Sequence, residues 1–121
     1  MNIRSALNIG NKILIQNKII SAKLDTELLM SKAINKNREF IILNLDKEIN
    51  KKNLHNYNKF INERSQGKPI AYILGKKFFW KNEFLVNEKV LIPRPDTEII
   101  LEEIIKLTKN KENLNVLDIG V

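Results

Sequence analysis

Cysteine is absent from this 121-residue chain. Disulfide frameworks, thiolate zinc sites and cysteine nucleophiles are therefore excluded, and a reducing compartment fits. Proline and glycine are scarce, at three and four residues, which excludes collagen-like and low-complexity architectures. The longest apolar runs are four or five residues, as in Phe40 to Leu43 and Ile70 to Leu74, far below the ~20 needed to span a bilayer as a helix. Arg4, Lys12, Lys18 and Lys23 interrupt the first 23 residues, so no signal-peptide core is present there. The single histidine, His55, has no second histidine and no nearby acid pair; it reads as a solvated helix position. What remains is a soluble, cytoplasmic protein with 43% hydrophobic residues. At this length it fits one small domain, or a domain plus part of another.

Charge of one sign dominates. There are 21 Lys and Arg against 14 Asp and Glu, a net charge of +7. The basic residues are 17 Lys and only 4 Arg, in a chain that also holds 17 Asn and 19 Ile. All three abundant types can be encoded by A and T alone, so base composition by itself accounts for much of the excess. The lysines are scattered, where nucleic-acid binders gather theirs on one face. The other reading is a weak electrostatic steering toward RNA or a ribosome-associated partner.

Apolar spacing predicts a helical first part. Ile3, Ala6, Leu7, Ile13 and Leu14 recur at helical steps. Gly10 weakens that helix by roughly 1 kcal/mol relative to Ala. Ser21 is a candidate N-cap, with Asp25 and Glu27 in the next turn. The helix behind it carries Leu24, Leu28, Met30, Ala33 and Ile34. A short apolar piece, Phe40 to Leu45, precedes a polar stretch from Asp46 to Asn53. Leu54, Tyr57, Phe60 and Ile61 give a further helical face, stopped by Gly67 and Pro69. Ile70 to Leu74 reads as one more short helix closed by Gly75. Residues 1–75 thus form a small helical bundle.

The pattern then changes. Phe78, Phe79, Trp80, Phe84 and Val86 surround a polar Lys81-Asn82-Glu83 turn, which predicts a β-hairpin without the favoured Asn-Gly signal. Trp80, Phe78 and Phe79 are expected to pack on the helical part, and Tyr72 likewise reads as packing. Val90 to Ile92 runs extended into Pro93-Arg94-Pro95, a stiff connector because residues before proline avoid helix. Residues 76–95 are hairpin and linker. A helix begins near Asp96, with Ile100, Ile104 and Leu107 as its buried stripe, supported by Leu101 and Ile105. Asp96 and Glu98 resemble a metal pair, but acids in a first helical turn are explained by the helix dipole. Leu114 to Ile119 then reads as a strand apolar on both sides, the pattern of a central parallel strand. Residues 96–121 are expected to be the first helix and strand of a second, α/β domain.

Two segments carry recognisable chemistry. Leu117-Asp118-Ile119-Gly120 matches the way class I methyltransferases open the loop that holds S-adenosylmethionine. More specific is Gln66-Gly67-Lys68-Pro69-Ile70-Ala71-Tyr72-Ile73-Leu74-Gly75, followed by the aromatic hairpin and by Leu91-Ile92-Pro93-Arg94-Pro95-Asp96-Thr97-Glu98. In this order, and with the helical start Leu24-Asp25-Thr26-Glu27-Leu28-Leu29, the chain closely resembles the release-factor glutamine N5-methyltransferases, the PrmC or HemK family. Asp96-Thr97-Glu98 favours this branch over the related ribosomal-protein glutamine methyltransferases.

The resemblance implies a mainly α chain: a helical substrate-docking domain, a hairpin linker and the start of a Rossmann-like methyltransferase domain. It implies methyl transfer from S-adenosylmethionine to the Gln of a Gly-Gly-Gln motif in a peptide chain release factor. It further implies a monomer that requires neither membrane nor nucleic acid. The family's Asn-Pro-Pro-Tyr segment, which orients the amide nitrogen, occurs nowhere in these residues. No catalytic residue is therefore assigned, and residues 1–121 alone are expected to be inactive and not to bind the cofactor. The rim of a cofactor site would comprise Arg94, Thr97, Asp118 and Gly120. Arg94 reads equally as a linker salt bridge, and Thr97 as a helix-start hydroxyl. A stand-alone module docking a release factor or RNA without chemistry is the alternative.

Overall fold

The computed structural model describes residues 1–120. Five helices come first: α1 (Ile3–Gln16), α2 (Ala22–Ile34), α3 (Arg38–Leu43), α4 (Lys51–Ser65) and α5 (Ile70–Leu74). A two-stranded antiparallel hairpin follows, β1 (Lys76–Phe79) and β2 (Asn82–Leu85), and then α6 (Pro95–Thr108). The chain is thus mainly helical with one small sheet. No helix of the described residues is long and apolar enough to cross a membrane.

Asparagine sets three of the helix starts. The side chains of Asn2, Asn37 and Asn50 accept the N–H of Ser5, Phe40 and Asn53 at 2.8–2.9 Å, each satisfying an amide the helix cannot. Asn37 explains why the apolar piece at Phe40 is a helix. At α2 the cap differs from expectation: the Ser21 hydroxyl donates to the Asp25 carboxylate at 2.9 Å instead of capping an amide.

The core sits among α1, α2 and α4, with Leu14, Leu29, Met30, Ile41 and Tyr57 at or below 1% exposure. Helix α2 packs against α1, α3, α4 and α5. Surrounded in this way, it buries residues on more than one side. Leu29 and Met30 are fully buried while Leu24 is exposed, so its inward face differs from the stripe expected. Asp25 is buried too, and Arg64 of α4 donates to it at 2.7 Å, with a second guanidinium N–H on the Lys68 carbonyl. A buried carboxylate without such a partner is costly.

Gly10 has a reason beyond tolerance. A Cβ there would collide with the Tyr57 hydroxyl, which donates to the Ala6 carbonyl at 3.3 Å. The helix gives up propensity so that α1 and α4 can approach. Burial also pushes the Tyr57 phenol well above its ordinary pKa.

Two expectations for the C-terminal third are corrected. Leu114 to Ile119 is not a strand: it is exposed and irregular, and its backbone has no ladder partner among the described residues. A strand requires a neighbour for its N–H and C=O groups, and the only sheet described is the hairpin. Likewise, Ile100, Ile104 and Leu107 are 60%, 40% and 68% exposed, so the anticipated stripe is uncovered.

The hairpin is also tighter than expected. Phe79 pairs with Asn82, leaving Trp80-Lys81 as a two-residue turn in place of Lys81-Asn82-Glu83. Strand alternation then splits the aromatics. Phe79 meets Phe84 edge-on at 6.2 Å, whereas Phe78 faces the other way and is 67% exposed, not packed as core.

Candidate functional site

The four anticipated rim residues fall into two places. Arg94 and Thr97 stand at the start of α6, where the Thr97 N–H donates to the Arg94 carbonyl at 3.1 Å. Pro95 opens the helix at its first position, as its fixed φ favours. Arg94 is the N-cap and contributes no side-chain cap. Thr97, inside the first turn, is therefore not the capping hydroxyl. Arg94 is exposed and makes no salt bridge among the described residues, so the linker ion pair is absent.

Asp118 and Gly120 lie beyond the opposite end of α6, both exposed. Gly120 has φ +85°, and no atom lies within 4 Å of the place a Cβ would occupy. No hydrogen bond or salt bridge among the described residues joins Asp118 to Arg94 or Thr97. The described residues thus do not bring Arg94 and Thr97 together with Asp118 and Gly120. Val121, where a glycine loop would continue, lies outside them. Asp96 and Glu98 belong to no cluster of three or more His, Cys, Asp or Glu side chains among the described residues.

The junction between bundle, hairpin and α6 is more elaborate than its sequence advertises. Lys68, from the Gly67-Lys68-Pro69 turn, reaches Glu88 at 3.0 Å and Glu63 at 3.5 Å. Its hydrogen bond with Glu88, with help from Glu63, raises its pKa above the ordinary 10.5. The Tyr72 hydroxyl donates to the Val90 carbonyl at 2.7 Å, so Tyr72 does more than pack. The Val86 N–H donates to the Gly75 carbonyl at 3.0 Å. Together these fasten the linker, up to Val90, onto the helical bundle. Glu98 accepts the Trp80 N–H at 2.9 Å and is the contact that ties the hairpin turn to α6. Both Lys68 and Glu98 lie inside the quoted motifs, which was the available signal. Their partners, 20 and 18 positions away, were not readable from spacing.

A cleft of about 950 Å³ opens where α2, α5 and β1 meet. Leu28, Ile70 and Phe78 supply apolar wall, and Lys32, Lys36, Arg38, Lys76 and Lys77 supply cations, with no carboxylate in the lining. Two of the cations are paired from outside it: Arg38 with Glu27 at 2.6 Å and Lys76 with Glu83 at 3.5 Å. Lys32 is spoken for by the Leu74 carbonyl at 3.2 Å. A smaller cleft of about 210 Å³ lies between α1 and α2. Neither is lined by Arg94, Thr97, Asp118 or Gly120.

Comparison with known proteins places this arrangement. Residues 5–75 match the family model described as the PrmC N-terminal domain. A Release factor glutamine methyltransferase of Buchnera aphidicola subsp. Schizaphis graminum is 43% identical over 98 residues, 81% of this chain and 35% of the relative. One from Shewanella oneidensis is 39% identical over 100 residues, 83% of this chain and 35% of the relative. One from Leptospira interrogans is 38% identical over 119 residues, 98% of this chain and 42% of the relative. The chain therefore spans well under half the length of these curated relatives. With its helical bundle matched as a unit and its identity continuing through hairpin and α6, the chain belongs to the release factor glutamine methyltransferase family and carries that family's PrmC N-terminal domain.

Proposed function

We propose that residues 1–75 are the substrate-docking domain of a release factor glutamine N5-methyltransferase. Residues 76–95 are its linker and residues 96–121 open a Rossmann-like catalytic domain. What supports this reading is the run of identity along nearly the whole chain to proteins named for that activity. The substrate is a peptide chain release factor, modified at the Gln of its Gly-Gly-Gln motif, in the cytoplasm and without nucleic acid. S-adenosylmethionine would supply the methyl group. The residues of this chain bind and orient the protein partner, and the excess of cations along the cleft supports a partner face carrying acidic groups.

Arg94, Thr97, Asp118 and Gly120 are proposed as cofactor rim. They are unassembled among residues 1–120, and the 121 residues hold no Asn-Pro-Pro-Tyr segment. By themselves these residues should dock and not methylate. Two calorimetric titrations test this. A release factor carrying Gly-Gly-Gln should bind saturably, and S-adenosylmethionine should give no binding heat. Saturable cofactor binding would show that the rim is a site after all, and absence of release-factor binding would remove the docking role.

A further inference from the structure

The hairpin turn carries a conformation its own residues do not favour. Trp80 and Lys81 have φ of +46° and +64°, the left-handed values that a two-residue turn demands and that Asn-Gly normally supplies. Neither residue is glycine, and Trp is bulky, so the turn is not specified locally. In such a turn the N–H of the first central residue points away from the ladder and has no strand partner. Here that N–H belongs to Trp80, and Glu98 accepts it at 2.9 Å in a part-buried setting. Glu98 sits one turn into α6 and is less exposed than Asp96 and Thr97 beside it. None of the residues of α6 is buried and only Glu98, Leu101 and Thr108 are half-buried, so little apolar packing fixes its direction.

We infer that Glu98 is a positioning residue: its carboxylate holds the Trp80-Lys81 turn in place and thereby sets the angle at which α6 leaves the hairpin. The hairpin is in turn held on the bundle through Gly75, Tyr72 and Lys68. Among the described residues, one charge-assisted hydrogen bond thus links the orientation of α6 to the hairpin and, through it, to the helical body. That this orientation serves methyl transfer rests on the function proposed above; the contact itself does not.

The chain has no cysteine and one tryptophan, which makes the test direct. Lys59 on α4 and Glu102 on α6 are exposed, and Lys59→Cys with Glu102→Cys gives a spin-label pair reporting the angle. The unaltered contact should give one narrow distance distribution, and the Trp80 amide should be protected from exchange. Glu98→Ala should broaden the distribution and speed Trp80 exchange by roughly ten- to hundredfold, the loss expected for one charge-assisted hydrogen bond. Glu98→Gln, which keeps an acceptor oxygen, should restore both. Amides of α1 and α4 should be unchanged in either variant, which separates positioning from folding. An unaltered distribution and Trp80 exchange rate in Glu98→Ala would overturn the inference, as would failure of Glu98→Gln to restore them. Neither readout involves release factor or S-adenosylmethionine, so either result is independent of the docking titrations.

Discussion

Residues 1–75 and residues 95–120 contain similar apolar side chains and use them differently. In the first, Leu14, Leu29, Met30 and Ile41 are inaccessible to solvent, and even Asp25 is buried against a matched arginine. In the second, Ile100, Leu107, Leu117 and Ile119 are 60–84% exposed. Helical apolar spacing occurs in both, in α1 as in α6, so amphipathic spacing announces a face without providing what covers it. Burial comes only where several elements converge, as they do around α2. Arg94, Thr97, Asp118 and Gly120 all lie in the uncovered region.

Matched substitutions can break this contrast. Arg64→Ala strands the buried Asp25 carboxylate and should cost about 3–5 kcal/mol. Lys106→Ala removes an exposed pair with Glu103 and should leave chemical denaturation unchanged. Leu29→Ala should cost roughly 2–5 kcal/mol, against less than about 0.5 kcal/mol for Leu117→Ala, which is 82% exposed. Equal effects for either pair would mean the two regions are packed alike.

Gly10 and Gly120 sharpen the comparison further. Gly10→Ala gains about 1 kcal/mol of helix propensity yet should destabilise by about 1–3 kcal/mol through collision with Tyr57. Adding Tyr57→Phe should recover most of that loss in a double-mutant cycle. Gly120→Ala meets no neighbour but strains a φ of +85°; in an unpacked segment that strain relaxes locally, so the unfolding midpoint should not change. Caps should matter less than core packing. Asn50→Ala should cost about 1 kcal/mol. Arg94→Ser, which gives α6 a capping hydroxyl it lacks, should raise its helicity by circular dichroism while the midpoint of the bundle stays fixed.

The sequence was most legible where local rules suffice. Helical spacing at Ile3, Leu7 and Leu14, the Gly67 and Gly75 stops and the Pro93-Arg94-Pro95 connector all correspond to described elements. Asparagine was read as base composition, yet Asn37 and Asn50 mark helix starts that spacing alone left undefined. Non-local features were hidden. The exposed Leu114 to Ile119 segment has an apolar strand's composition, but pairing depends on a neighbour. Glu98 looked like one more acid serving a helix dipole, because its true partner, Trp80, lies across a hairpin and a proline-rich linker. For the candidate site, the sequence nominated Arg94, Thr97, Asp118 and Gly120, and the described residues do not bring the four together.

Site-resolved amide hydrogen exchange on residues 1–121 tests the central contrast in one experiment. The amides of Leu29, Met30, Ile41 and Tyr57 should exchange only through global unfolding, while those from Leu114 to Ile119 should exchange within about tenfold of unstructured rates. Protection from Leu114 to Ile119 equal to that at Leu29 would contradict the account, since it would mean that this segment is already part of a packed domain.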